Sequence, residues 1–222
     1  MICFEQNFEL ACKMLLKGIV KVAKYVLQQG DDEMLDILGA KNRFRAIAAD
    51  IKEIIANNKI PDGSDKICYF VSKALMDQNF VVENLPDRLE GEQPRQILYE
   101  DKDTDFCICG HVYANEAIGF PHDHGSSWAI YGQASGETEM TDWDIIQEKS
   151  SDDVIYVKPS KTYLMTTGDV HFYNIGDVHS PVRKDPVRLL RIEGTNLDNI
   201  KRSNIKPLNG EESHGSVGSV GK

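Results

Sequence analysis

The chain has 222 residues, and its 35 acidic against 25 basic side chains leave a formal charge of −10. That balance repels phosphate backbones and anionic bilayers, so neither nucleic acid nor membrane is expected as a partner. The cysteines are five, an odd number; with no apolar run approaching roughly twenty residues and no secretory leader, the expectation is a reduced, cytoplasmic protein that buries a core without disulfides.

From Phe8 to Gln29, Leu10, Met14, Leu15, Ile19, Val22, Val26 and Leu27 recur at three- and four-residue steps, which predicts an amphipathic helix ended by Gly30. A second helix is expected from Asp32 through Leu38, and a third from Arg43 to Asn57, striped by Phe44, Ile47, Ile51 and Ile54. Pro61-Asp62-Gly63 breaks the pattern, after which Ser64 or Asp65 would cap a fourth helix through Tyr69, Val71, Leu75 and Met76. Residues 1–90 therefore read as a helical region whose stripes pack on whatever follows.

After Gly91 the period shortens to runs of β-branched and aromatic residues. Strands are predicted at Gln96 to Tyr99, Asp105 to Tyr113, His122 to His124, Ala129 to Gln133, Thr138 to Trp143, Ser151 to Lys158, Thr162 to Met165, His171 to Asn174 and Val187 to Glu193. So many short strands imply a double-sheet jelly roll or small barrel over 91–207, wide enough to hold a ligand. The fold class is thus α+β, mainly β. The polar run over 208–222 cannot bury enough apolar area to order itself and is expected as a flexible tail.

Chemistry concentrates at His122-Asp123-His124. In an extended segment, residues i and i+2 point to one face, so both imidazoles can converge on an ion while Asp123 turns away. A third ligand must come from elsewhere, and the tetrapeptide Gly-Asp-Val-His occurs twice, ending at His171 and at His179. His179 is favoured, because Gly176-Asp177 is a tight-turn pair and Pro181 would end the ladder; His171 stays as the alternative. Cys107 and Cys109 share a strand face and read as small buried hydrophobes before they read as ligands.

Pro121-His122-Asp123-His124, Gly136, Asp142-Trp143 and the later Gly-Asp-Val with His179 resemble the cupin superfamily, and within it the cysteine dioxygenase-like thiol dioxygenases. The resemblance spans roughly residues 92 to 198. It implies a double-stranded β-helix in which His122, His124 and His179 hold Fe(II), with no carboxylate ligand where other cupins carry one; here that neighbourhood is Trp128-Ala129. It further implies a small thiol carboxylate and O2 as substrates, and it is compatible with a homodimer. The sequence departs from the pattern in two places. Ala129 stands where mammalian-type members carry a crosslinking cysteine, and Arg191 and Glu193 stand where the Ser-x-His-x-Tyr strand has its His and Tyr.

Three neutral imidazoles leave two or three coordination positions open, which suits a redox metal; zinc or nickel can take the same ligands. For a substrate carboxylate, the candidates are Arg95 and Arg191, since a guanidinium offers a bidentate fork. Arg191 and Glu193 share an inward face by parity, and an internal salt bridge is the competing reading of that pair. Tyr131 shares parity with Ala129 and is a candidate to assist at a bound oxygen species. Arg183, Lys184, Arg188 and Arg191 form the densest basic run, three of them expected as solvated strand-edge residues.

Overall fold

The structure, a computed structural model, describes residues 43–88, 91–147 and 153–208. The chain divides into two compact units, Met1–Arg43 and Phe44–Lys222, and almost all described residues belong to the second. The helices expected over Phe8–Gln29 and Asp32–Leu38, and the tail expected over 208–222 apart from Leu208, lie outside the described residues.

Among the described residues, three helices precede the strands. Helix α1 covers 43–57, as the apolar stripe predicts. Helix α2 (Ser64–Leu75) begins after Gly63, not after a capping Ser64 or Asp65, and no side chain caps it. The reason is tertiary: a Cβ at Gly63 would lie 2.8 Å from Ile54 Cγ2, so the start of α2 is pressed against α1. Helix α3 (Gln78–Asn84), which periodicity missed, is short and is started by Asp77, whose carboxylate accepts from the backbone N–H of Asn79 and Phe80.

The strands build two five-stranded sheets. In one, β1 (Arg95–Glu100), β2 (Cys107–Tyr113), β9 (Val187–Glu193), β4 (Ala129–Ser135) and β7 (Val170–Tyr173) run in that order. In the other the order is β10 (Asn204–Pro207), β6 (Val154–Met165), β5 (Thr138–Gln147), β8 (Val178–Arg183) and β3 (Ala117–Ile118). Between β4 and β9 the chain passes back and forth between the sheets, which is the course of a cupin-type double-stranded β-helix, mainly β with helices ahead of it. Among the described residues no helix is long and apolar enough to cross a membrane.

Alternation along the first sheet separates two environments. Ile108, Ile130, Leu190 and Ile192 join Ile51, Ile67, Val71, Leu75 and Phe80 in one core under the helices. Gly132 shares that face because nothing larger fits: a Cβ there would lie 2.5 Å from Leu75 Cδ1 and 2.8 Å from Val71 Cγ1. The opposite parity of the same strands, Cys107, Cys109, His111, Ala129, Tyr131, Gln133, Arg191 and Glu193, carries the polar side chains.

The duplicated Gly-Asp-Val-His segments behave alike. Gly168 (φ 91°) and Gly176 (φ 89°) supply the left-handed residue of two equivalent turns. In each, the following aspartate reaches back, Asp169 accepting from Thr166 N–H at 2.7 Å and Asp177 from Asn174 N–H at 2.7 Å. Each turn opens a strand, β7 in one sheet and β8 in the other, and neither copy ends one. Nor does Pro181 end the ladder, for it pairs with Met140 inside β8. The two runs expected at Ser151–Lys158 and Thr162–Met165 are one strand, β6, whose register shifts opposite Asp142 and Trp143 and so absorbs the Pro159-Ser160 interruption as a bulge. His122–His124 is not a strand; only His122 pairs, in a single bridge.

Candidate metal centre

That bridge is the keystone of the site. His122 N–H donates to His179 C=O at 3.0 Å, and His179 N–H returns the bond to His122 C=O at 3.1 Å. Such a doubly bonded antiparallel pair puts both side chains on one side of the ladder. His124, two residues on, arrives at the same place: the ring centroids lie 4.6 Å (His122 to His179), 4.9 Å (His124 to His179) and 5.8 Å (His122 to His124) apart. One ring nitrogen of each falls within 4.8 Å of the other two. His171 is outside this group. It stacks on Tyr163 at 4.5 Å and lines a cleft of about 420 Å³ with Asp142, Trp143, Tyr173 and Asp177.

The donor atoms fit a metal. His122 Nδ1 is 2.8 Å from the Phe120 carbonyl, which can only accept, so Nδ1 carries the proton and Nε2 keeps its lone pair. His124 Nδ1 and both nitrogens of His179 are buried without a hydrogen-bond partner among the described residues. Burial, reinforced by neighbouring imidazoles and the Arg191 and Arg202 cations, pushes His122 down to about 4, His124 down to about 2 and His179 well below the usual histidine range. All three are therefore neutral at pH 7, the state in which imidazole binds metal. Buried, unpartnered nitrogens of this kind are costly unless something accepts them.

Aromatic rings hold the imidazoles. Tyr173 stacks on His179 (3.8 Å, 26° between planes), and its hydroxyl meets that of Tyr163 at 2.6 Å, which in turn donates to Asp142 at 3.1 Å. Tyr131 Oη lies 3.1 Å from His124 Nε2 and accepts from Arg191 Nη1 at 3.0 Å. Glu193 gathers the two arginines singled out from the sequence. Arg191 Nε donates to Oε1 at 2.6 Å, with a further bond from Nη2; Arg95 Nη2 donates to Oε2 at 2.8 Å and Nε to Oε1 at 3.3 Å. Leu197 N–H and the Cys107 thiol complete the carboxylate at 3.1 and 3.3 Å. Burial pushes the carboxyl up, but Arg191 and then Arg95 outweigh it and hold Glu193 at about 2. Arg95 is also bonded to Asp198 and Asn196, so its fork is fully occupied.

Cys107 and Cys109 are fully buried with their sulfurs 3.7 Å apart, and with Glu193 they form a second compact group. The Cys109 contact and burial push the Cys107 thiol far up, so it keeps its proton, while both Glu193 oxygens are taken by donors. The basic run also divides otherwise than expected: Lys184 is exposed and Arg188 pairs with Asp87, but both Arg183 and Arg191 are buried. Parity could have flagged Arg183, since it is two and four residues beyond Pro181 and His179 on β8. Tyr173 carried a weaker signal, its place two residues after His171 on a short strand.

No protein-family model matches the chain, and no curated protein is similar to it. Among solved structures it is similar to an uncharacterised conserved protein with a double-stranded β-helix domain from Klebsiella pneumoniae, at 16% identity over 55% of this chain and 91% of that one, with a TM-score of 0.39. A cupin-2 domain protein from Shewanella frigidimarina shares 12% identity over 47% and 82% (TM-score 0.34). A cupin superfamily protein from Desulfitobacterium hafniense shares 14% over 51% and 96% (TM-score 0.36). These neighbours are cupin-domain proteins.

Proposed function

We propose that His122, His124 and His179 hold one divalent transition metal, and that the barrel over 91–207 uses ferrous iron to oxidise the sulfur of a small thiol carboxylate with O2, as the resemblance to thiol dioxygenases implies. The observation that carries this reading is a set of three neutral imidazoles with no carboxylate among them, His124 and His179 buried with unpartnered nitrogens and His122 half-buried beside them. Ferrous iron in such a set supplies redox chemistry toward a thiolate and dioxygen, whereas zinc or nickel would supply Lewis acidity. The reaction balances without an outside reductant: RSH and O2 give RSO2H, both oxygen atoms ending on sulfur.

The chain's own groups have definable parts. Tyr131 accepts a hydrogen bond from Arg191, so its own proton is left for an acceptor on the His124 side. Arg191 is held for that task by Glu193, and Tyr173 fixes the plane of His179. Such support of ligand rings tunes metal affinity and orientation.

A second reading, a metal- or ligand-binding cupin without oxidase chemistry that serves as a sensor or structural module, is favoured by one observation. The Arg191–Glu193 ion pair occupies the strand positions where thiol dioxygenases carry His and Tyr. Elemental analysis of protein purified without added metal, followed by oxygen-electrode assays with cysteine, mercaptoacetate and 3-mercaptopropionate, separates the two. Iron at one equivalent, its loss in His124→Ala, and oxygen uptake matched by sulfinate are expected. Stoichiometric metal with no oxygen uptake on any thiol would select the second reading, and absence of metal affinity would remove the first reading together with the metal-binding form of the second.

A further inference from the structure

The two arginines bonded to Glu193 leave a third guanidinium unanswered. Arg183, the last residue of β8, is 5% exposed and shares the face of His179. Its guanidinium lies over the Tyr113 ring, 4.6 Å from the centroid, a contact that holds the plane while leaving the edge of the fork open. Among the described residues it has no carboxylate partner, and its Nε is buried with no hydrogen bond. A guanidinium this deep without a counter-charge is rare unless an anion comes to it.

Its surroundings repeat the pattern. His111 and Gln133 flank Leu189 from β2 and β4, on the strand face that carries Tyr131 and Arg191. His111 Nε2 and Gln133 Oε1 are both buried without partners. Burial holds His111 far below its usual range, so the imidazole adds hydrogen-bonding capacity and no charge. On β8 Arg183 follows His179 by four residues on the same face, a separation of about 13 Å along the strand that two side chains and a short acid can span.

We propose that Arg183, not Arg95 or Arg191, binds the carboxylate of a short acid whose other end reaches the His122, His124 and His179 cluster, and so selects anionic ligands. The inference rests on the reading of that cluster as a metal site. Arginine suits the task because its planar fork pairs with both oxygens of a carboxylate.

The test uses zinc-loaded protein, which does not turn over, and calorimetric titration with 3-mercaptopropionate and with 3-mercapto-1-propanol, the same thiol without the carboxylate. The acid should bind at least about ten-fold more tightly than the alcohol, the scale of one charge-assisted pair. Arg183→Met should abolish that preference while keeping zinc stoichiometry, and Arg183→Lys should keep only part of it. Equal preference in Arg183→Met and the unsubstituted protein, or no preference in the latter, would overturn the assignment. If Arg183→Met does not fold, Arg183→Lys and the acid-to-alcohol ratio decide. If zinc does not bind, the metal reading fails separately, and propionate titrated into metal-free protein settles Arg183: binding that Arg183→Met or Arg183→Lys weakens supports it, and absence of binding ends it.

Discussion

Tyr173 lies flat on His179, its ring centroid 3.8 Å away, while its hydroxyl is tied to Tyr163. The stack fixes the imidazole plane, and the hydrogen bond fixes the stack. Tyr173→Phe removes only the second and should cost about 1 kcal/mol of stability. Tyr173→Leu removes the stack as well and should weaken metal binding by roughly ten- to a hundred-fold. Chemical denaturation of the metal-free protein and competition with a chelator read the two effects apart.

Glu193 is fully buried and neutralises two arginines at once. Removing its charge leaves both guanidiniums short of a partner in a dry interior. Glu193→Gln should therefore destabilise by about 3–5 kcal/mol, the scale for breaking a buried pair from one side. Asp198→Asn, which touches Arg95 from an exposed position, should cost under about 1 kcal/mol. Urea midpoints compare the two directly.

Stability should fall in acid in two stages. His111 is held far below its unfolded value, so as pH drops under about 6.5 the unfolded chain takes up a proton that the folded one refuses. Its contribution is complete above that pH and declines below it, by about 1.4 kcal/mol per pH unit for a buried group. Glu193, folded value about 2, adds a contribution that is complete above about 4.5 and is lost as pH falls toward 2. The three clustered histidines act with the same sign as His111. In metal-free protein, His111→Gln should lessen the slope of unfolding free energy against pH between 6.5 and 5 by one group's share, about 1.4 kcal/mol per pH unit at most, and leave the share of the other three.

Two glycines should fail for different reasons when replaced by alanine. At Gly132 the new methyl meets Leu75 and Val71 beneath helix α2, an overpacking cost of about 1–3 kcal/mol. At Gly176 nothing lies within 4 Å, and the penalty is the left-handed backbone alone, about 1–2 kcal/mol. A double variant should lose the sum, since the residues share no neighbour. Thermal melts of the three variants test this.

Much of the architecture was legible because it depends on local period. Alternation marked Val187–Glu193 to the residue, and the three-and-four spacing marked the helix over 43–57. Period says nothing about elements too short to show one, which is why α3, β3 and β10 went unseen. Strand β8 was hidden for another reason: a proline and a histidine interrupt its apolar alternation, and neighbours β5 and β3 supply the ladder that its own residues do not advertise.

By itself the chain of residues determined that a β-rich barrel follows helices, that two imidazoles stand two residues apart, and that a glycine-aspartate turn delivers a third. These follow from spacing along one polypeptide. Only the tertiary structure brought His179, and not His171, beside His122 and His124, because that depends on which strand exchanges backbone hydrogen bonds with His122. It alone also decided which arginines are neutralised, for Glu193 pairs with Arg95 and Arg191 while Arg183 lies over the Tyr113 ring. Charge balance in a buried site is a property of side chains brought together from distant strands, and no local pattern encodes it.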